Sequence, residues 1–164
     1  VTASLFKKYK TAADYAAAQT SVLENEIHST GFFRNKAKAI RECTAVIQER
    51  HGGVVPGTME ELVALPGIGR KTANLVLACG FGQPGIVVDT HVFRLARRIG
   101  LTDKSNSEKI EFDLRGIISE DRWSRFSLLL ISHGRAICKA KKPLCPVCSI
   151  RHQCEYFATN PEGS

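Results

Sequence analysis

Leu65-Pro66-Gly67-Ile68-Gly69-Arg70-Lys71-Thr72 separates two stretches whose apolar residues recur at helical spacing. Upstream, Thr58 with Glu61 three residues later forms a reciprocal N-cap pattern for a short helix, Thr58 to Leu65, that Pro66-Gly67 ends. Downstream, Arg70 to about Cys79 is a more apolar helix closed by Gly80, and Val76 and Leu77 in its middle predict burial on most sides. The octet is therefore a tight turn between helices, where glycines leave room for another backbone to approach. Amides exposed in such a turn, with the positive end of the following helix, form a phosphate site; an ordinary helix–turn–helix corner fits the octet alone equally well. Two nucleotide motifs are excluded. A Walker loop needs Gly directly before Lys71, and the dinucleotide fingerprint needs Gly where Thr72 stands.

Moving outward, the chain reads as short helices punctuated by glycine, which sets the class as all-α. Thr20 or Ser21 starts a helix to about Ser29, with Ser21 and Glu24 as a capping pair and Gly31 as the break. From Asn35 to about His51, Ala37, Ile40, Cys43 or Thr44, and Ile47 form one stripe, stopped by Gly52-Gly53. Ile86-Val87-Val88 has strand composition but no partner run, so it is read as an extended connector, with Asp89-Thr90 capping the helix that buries Val92, Leu95, Ala96 and Ile99. Two further helices, near Ser107 to Ile118 and Glu120 to His133, carry Ile110, Leu114 and Ile117, then Trp123, Phe126 and Leu130, on their core faces. The tail Asn160-Pro161-Glu162-Gly163-Ser164 reads as disordered.

At 164 residues and 43% apolar content the chain suits one compact domain or two small ones sharing a core. The lack of an eighteen-residue apolar run excludes a helical membrane span. A net charge of +7 favours a polyanionic partner. The cations are clustered: Lys139, Lys141 and Lys142 sit between cysteines, and Arg94, Arg97 and Arg98 share one helical stretch, a pattern that suits phosphate contacts as well as a solvated face.

Cys138, Cys145, Cys148 and Cys154 follow C-x6-C-x2-C-x5-C, one close pair with two longer arms. Four such thiolates make one tetrathiolate site, and spacing alone leaves zinc and an iron–sulfur cluster equally open. His152, inside the last interval, reads as exposed rather than ligating. Cys43 and Cys79 read as small core residues on apolar helical faces. A chain this long and apolar does not need disulfide staples, so the cysteines point to a reducing cytoplasm.

Lys71 falls in the first helical turn and reads on local sequence first as a phosphate-binding surface lysine; the alternative is a covalent nucleophile, since the dipole and the neighbouring Arg70 disfavour an ammonium there. Asp89 reads on local sequence first as a simple N-cap, with a catalytic carboxylate as the alternative.

Taken together, these segments resemble the endonuclease III family of DNA glycosylases. The resemblance rests on Leu65 through Ala73, on Val87-Val88-Asp89-Thr90-His91-Val92, on His133-Gly134-Arg135 and on the cysteine spacing. It implies a helix–hairpin–helix DNA glycosylase fold. A helical barrel lobe would occupy residues 1–84, without the family's N-terminal part, and a helical lobe with the cluster loop residues 85–164, with a cleft between them. It further implies base excision repair by a bifunctional DNA N-glycosylase/AP lyase, acting as a monomer on double-stranded DNA with an oxidised pyrimidine or abasic site. Lys71 and Asp89 become the catalytic pair, and the four cysteines become ligands of a [4Fe–4S] cluster rather than zinc. Leu65, Gly67, Ile68, Gly69, Arg70, Thr72, Lys139, Lys141 and Lys142 become the DNA contacts. Two alternatives stay open at this level: a monofunctional mismatch glycosylase for adenine or thymine, and a non-catalytic DNA-binding helix–hairpin–helix module. Lys71 argues against the first.

Overall fold

The computed structural model describes residues 1–160, and every regular element among them is helical. The expected disordered tail, apart from Asn160, lies outside the described residues. The chain divides into two compact units, one over Val1–Ala73 and one from Asn74 onward. No helix among the described residues is long and apolar enough to cross a membrane.

The first unit holds α1 (Thr2–Lys8), α2 (Ala12–Ala17), α3 (Thr20–Glu26), a 3₁₀ turn (His28–Thr30), α4 (Phe33–His51), α5 (Met59–Val63) and the start of α6 (Arg70–Gly80). Its core gathers Leu5, Tyr9, Ala18, Leu23, Ile27 and Ala37, with Tyr15, Phe33 and Ile40 packed against them. Polar groups bind α1 to α3: Glu26 accepts from Lys8 Nζ at 2.6 Å and from the Tyr9 hydroxyl at 2.9 Å. Thr11 and Asp14 close a reciprocal box on α2. Thr58 caps α5, its Oγ1 accepting from Glu61 N–H at 3.2 Å, but the pair is not reciprocal, since Glu61 Oε2 accepts from the Thr58 hydroxyl at 2.6 Å.

Three expectations for this unit are corrected. Gln19, not Thr20 or Ser21, sits at the N-cap of α3, and it makes no side-chain cap bond; the Thr20 hydroxyl instead accepts from Arg41 across the unit. That helix also stops at Glu26, and His28–Thr30 tightens into a 3₁₀ turn. α4 begins at Phe33, because the kink lies at Gly31 (φ 66°) and Phe32 (φ 47°), both left-handed. Its far end matches expectation: Gly52 is left-handed, and Gly53 N–H bonds to Ile47 C=O at 3.0 Å.

The second unit holds the rest of α6, then α7 (Thr90–Ile99), α8 (Ser107–Ile117), a 3₁₀ turn (Glu120–Arg122), α9 (Trp123–Ala136), two further 3₁₀ turns (Cys145–Val147 and Arg151–Gln153) and α10 (Glu155–Thr159). Ile86, Val88, Val92, Leu95, Ala96, Ile110, Leu114 and Leu130 form its core. The Ile86-Val87-Val88 segment is an extended connector. The partner a strand would need is supplied by α9 side chains, since Val87 N–H donates to Ser127 Oγ at 3.0 Å and Gly85 N–H to Ser124 Oγ at 3.4 Å.

Here too the periodicity misleads at helix ends. Ile117 is 55% exposed, because Ile110 and Leu114 set a stripe that continues four residues on, at Ile118. α9 opens at Trp123 rather than Glu120, with the indole N–H reaching back to Ile118 C=O at 2.8 Å. α6 is buried on one side only: Ala73, Asn74 and Leu77 are enclosed, but Leu75 is 47% exposed. Cys79, expected in the core, is exposed, since two residues beyond Leu77 point roughly 200° round the helix.

The Lys8 ammonium and the Tyr9 hydroxyl hold the Glu26 carboxyl below its ordinary value of 4.5. A depressed carboxylate stabilises the folded form above that ordinary value and loses its contribution as pH falls through the lowered one. Thermal melts between about pH 3 and 6 are expected to show an acid loss of Tm in the parent that is flatter in Glu26→Gln.

Candidate functional site

The turn between α5 and α6 is closed by Ile68 N–H to Leu65 C=O at 3.2 Å, and α6 then opens with Ala73 N–H to Gly69 C=O at 3.0 Å. Leu65 is 4% exposed, so its side chain belongs to the core and only its main chain can meet a partner. Gly67 has φ 74°, and a Cβ there would stand 2.8 Å from Ala39 Cβ on α4. Its glycine is thus demanded from within, by the seat of the turn on α4. Gly69 differs. No atom lies within 4 Å of where its Cβ would stand, so nothing inside the unit requires glycine at this exposed position. Arg70, Lys71 and Thr72 form the first turn of α6, at the positive end of its dipole. Lys71 is exposed, and Ile68, Arg70 and Thr72 are half-buried.

Asp89 is the N-cap of α7: its Oδ1 accepts from His91 N–H at 2.8 Å and Val92 N–H at 2.9 Å. Its Oδ2 makes no hydrogen bond among the described residues, so the cap uses one oxygen and leaves the other. The motif residues beyond it meet α9. A Cβ at Gly134 would stand 2.8 Å from His91 Nδ1, so α7 and α9 approach here too closely for a side chain at Gly134.

Cys138, Cys145, Cys148 and Cys154 all line one cavity whose other walls include Leu95, Ile99, Ile137 and Phe157. No acidic side chain lines it. Arg98 Nη1 donates to Cys138 Sγ at 3.3 Å, Cys154 Sγ donates to Arg98 C=O at 3.2 Å, and His133 Nε2 lies 3.4 Å from Cys148 Sγ. Among the described residues no three His, Cys, Asp or Glu side chains are gathered closely enough to hold a single metal ion. His152 is exposed, as expected.

The chain matches the HhH-GPD superfamily of base excision DNA repair proteins over residues 1–120. It is 50% identical to Endonuclease III of Synechocystis sp. over 155 residues, covering 94% of this chain and 71% of that protein. The chain belongs to the endonuclease III family. Its fold superimposes on a solved non-covalent Endonuclease III–DNA complex with a TM-score of 0.92, at 40% identity, covering 98% of this chain and 75% of that one. A trapped Endonuclease III–DNA covalent intermediate gives a TM-score of 0.93 at 40% identity, with 98% and 76% covered.

In this family member the two basic clusters separate into different jobs. Lys139, Lys141 and Lys142 are exposed, and Lys142 is left-handed at φ 52°. The arginines are turned inward onto the same loop. Arg94 Nη2 donates to Gly134 C=O at 3.2 Å and Cys138 C=O at 2.8 Å, while Arg98 donates to Lys139 C=O at 2.8 Å and Ala140 C=O at 3.0 Å. Leu144 N–H to Ile137 C=O at 3.0 Å pinches the loop shut behind them. Sequence reasoning treated Arg94 and Arg98 as phosphate candidates. The signal that could have separated them from Arg97 is their i, i+4 spacing on one face of α7. It also missed His133 as a neighbour of the cysteines, and Phe32, the most exposed large apolar side chain among the described residues at 86%.

Replacing Arg98 by Ala removes two carbonyl bonds and the donor to Cys138, and the expected loss is about 1–3 kcal/mol. Trypsin should then cut faster after Lys139 and Lys141, as read by mass spectrometry of timed digests. Arg97→Ala, whose guanidinium lies 6.0 Å from the Phe93 ring and makes no such bonds, should leave cleavage unchanged.

Proposed function

We propose that this chain works in base excision repair as a bifunctional DNA glycosylase and AP lyase acting on duplex DNA with an oxidised pyrimidine or an abasic site. The observation that carries the reading is an exposed Lys71 at the open start of α6, beside a glycine with no internal reason to be glycine. A visiting phosphate backbone supplies that reason. Main-chain amides at Gly67 and Gly69 and at the head of α6, together with the side chains of Ile68, Arg70 and Thr72, would meet one phosphate region, and Lys139, Lys141 and Lys142 another. Phe32, held out on left-handed backbone, suits an apolar wedge at an unstacked step.

The chemistry requires a nucleotide turned out of the stack, since no side chain reaches the anomeric carbon within it. The Lys71 amine attacks C1′, the base leaves with the electron pair of the glycosidic bond, and the proton shed by the attacking nitrogen goes to the base. Ring opening breaks the C1′–O4′ bond, passes the remaining N–H proton to O4′ and gives an imine between Lys71 and C1′. The imine acidifies the C2′ proton, whose removal expels the 3′ phosphate by β-elimination and leaves the strand cut. Asp89, with one oxygen uncommitted to the cap, is the carboxylate that balances positive charge at the sugar. A relative's solved covalent DNA intermediate supports this route over binding alone.

Cys138, Cys145, Cys148 and Cys154 are assigned to a [4Fe–4S] cluster. The all-thiolate donor set, the absence of carboxylates from the described lining and the Arg98 guanidinium beside Cys138 suit a net negative group, whereas one zinc would need all four sulfurs about 2.3 Å from a point. Bound there, the cluster would cross-link the loop and supply an iron–sulfur redox centre. This chain's own part is to hold three exposed lysines on that rigid loop. The setting is the compartment that holds the chromosome, the cytoplasm and, in a bacterium, its nucleoid.

Borohydride added during reaction with a duplex carrying an oxidised pyrimidine is expected to trap a protein–DNA adduct that Lys71→Ala abolishes while binding persists. A parent protein that binds at saturation yet traps nothing overturns the reading. Visible absorption and iron content, with no zinc, are expected of the purified protein.

A further inference from the structure

Asn74 lies three residues beyond Lys71 on α6 and is 1% exposed. Its Oδ1 accepts from Arg115 Nη2 at 3.4 Å, and its Nδ2 is buried with no partner. Arg115 pairs at 2.8 Å with Glu111, whose side chain is only 4% exposed, and its guanidinium lies 4.7 Å from the centre of the Trp123 ring. A Cβ at Gly85 would stand 3.0 Å from Asn74 Oδ1, so the connector that leads to Asp89 runs flush against the same amide. One buried carboxamide therefore touches the helix that carries Lys71, the segment that ends in Asp89 and, through Arg115, helix α8.

Stability does not account for such a network. Buried ion pairs can often be exchanged for well-packed apolar side chains without loss, and a buried amide with an idle donor is a poor way to fill a core. What hydrogen bonds add is direction: an apolar contact tolerates sliding and rotation, whereas the Asn74–Arg115–Glu111 chain favours one rotation and one height of α6. Lys71, less than a turn away on that helix, inherits both.

We propose that Asn74, Arg115 and Glu111 are positioning residues that set the pose of α6 and so the reach of the Lys71 amine. None of the three is proposed to touch the substrate. The inference rests on the reading of Lys71 as nucleophile.

The test uses the whole chain and three measurements: the single-turnover rate of borohydride-trappable imine formation on abasic duplex, the Kd for a duplex with a reduced, unreactive abasic site, and Tm. Asn74→Ala and the double variant Glu111→Leu with Arg115→Met are expected to slow imine formation about tenfold or more, since small misplacements of reacting groups carry large rate penalties. Kd should stay within about threefold, and the double variant should keep the parent Tm to within a few degrees. Asn74→Asp, which keeps an acceptor for Arg115, should recover most of the rate. Leu114→Ala, a pure core change on α8, is the control that lowers Tm without a matching loss of rate. Should Asn74→Ala fail to fold, Asn74→Asp and the double variant still decide.

Folded variants that trap at the parent rate overturn the proposal, as do rate losses that merely follow Tm and Kd as they do in Leu114→Ala. A parent that forms no Lys71-dependent adduct removes the nucleophile assignment and this proposal with it. A Lys71-dependent adduct with unchanged variant rates removes only the positioning role.

Discussion

Two hydrogen bonds from the main chain of α7 into Asp89 Oδ1 fix where that helix begins, and most of the second unit is arranged around its direction. Once α7 starts there, Val92, Leu95 and Ala96 fall on the buried stripe and Ile86 and Val88 are drawn in beside them. The same start puts His91 against Gly134 and aims Arg94 and Arg98 at the loop after α9. A cap displaced by one residue would rotate every one of these side chains by about 100°. The cap is therefore both a local preference of aspartate and the reference for a surface some forty residues downstream.

Charge is sorted by side-chain chemistry. A guanidinium is planar and multidentate, and Arg94 and Arg98 use that to hold three main-chain carbonyls of one irregular loop and one in the last turn of α9. An ammonium is a compact, strongly hydrated charge, and the lysines of that loop stay in solvent. Three of the 23 Lys and Arg side chains thus rise from a main chain that Arg94 and Arg98 already hold in place.

The helices, the extended connector before Asp89, the α5 and α7 caps and the grouping of the four cysteines were legible in the sequence, because each depends on residues within a turn or two of one another. What escaped depends on distant partners. Thr20 looked like a cap until Arg41 took its hydroxyl. Ile117 and Cys79 looked like core because period counting cannot say where a stripe ends near a helix terminus. Gly67 and Gly69 looked alike, yet only the proximity of Ala39 shows that one answers to packing and the other does not. The Lys71 and Asp89 roles came from resemblance, and the structure adds the exposure of one and the uncommitted oxygen of the other.

The carbonyls that Arg94 holds lie 40 and 44 residues further along the chain, so their closure waits on the packing of α7 with α9. In small zinc modules the metal gathers the chain. Here the four thiols line one cavity that the packed helices build, with Leu95 and Ile99 of α7 among its walls. Their gathering follows from contacts between residues far apart in the chain, not from the local spacing of the cysteines.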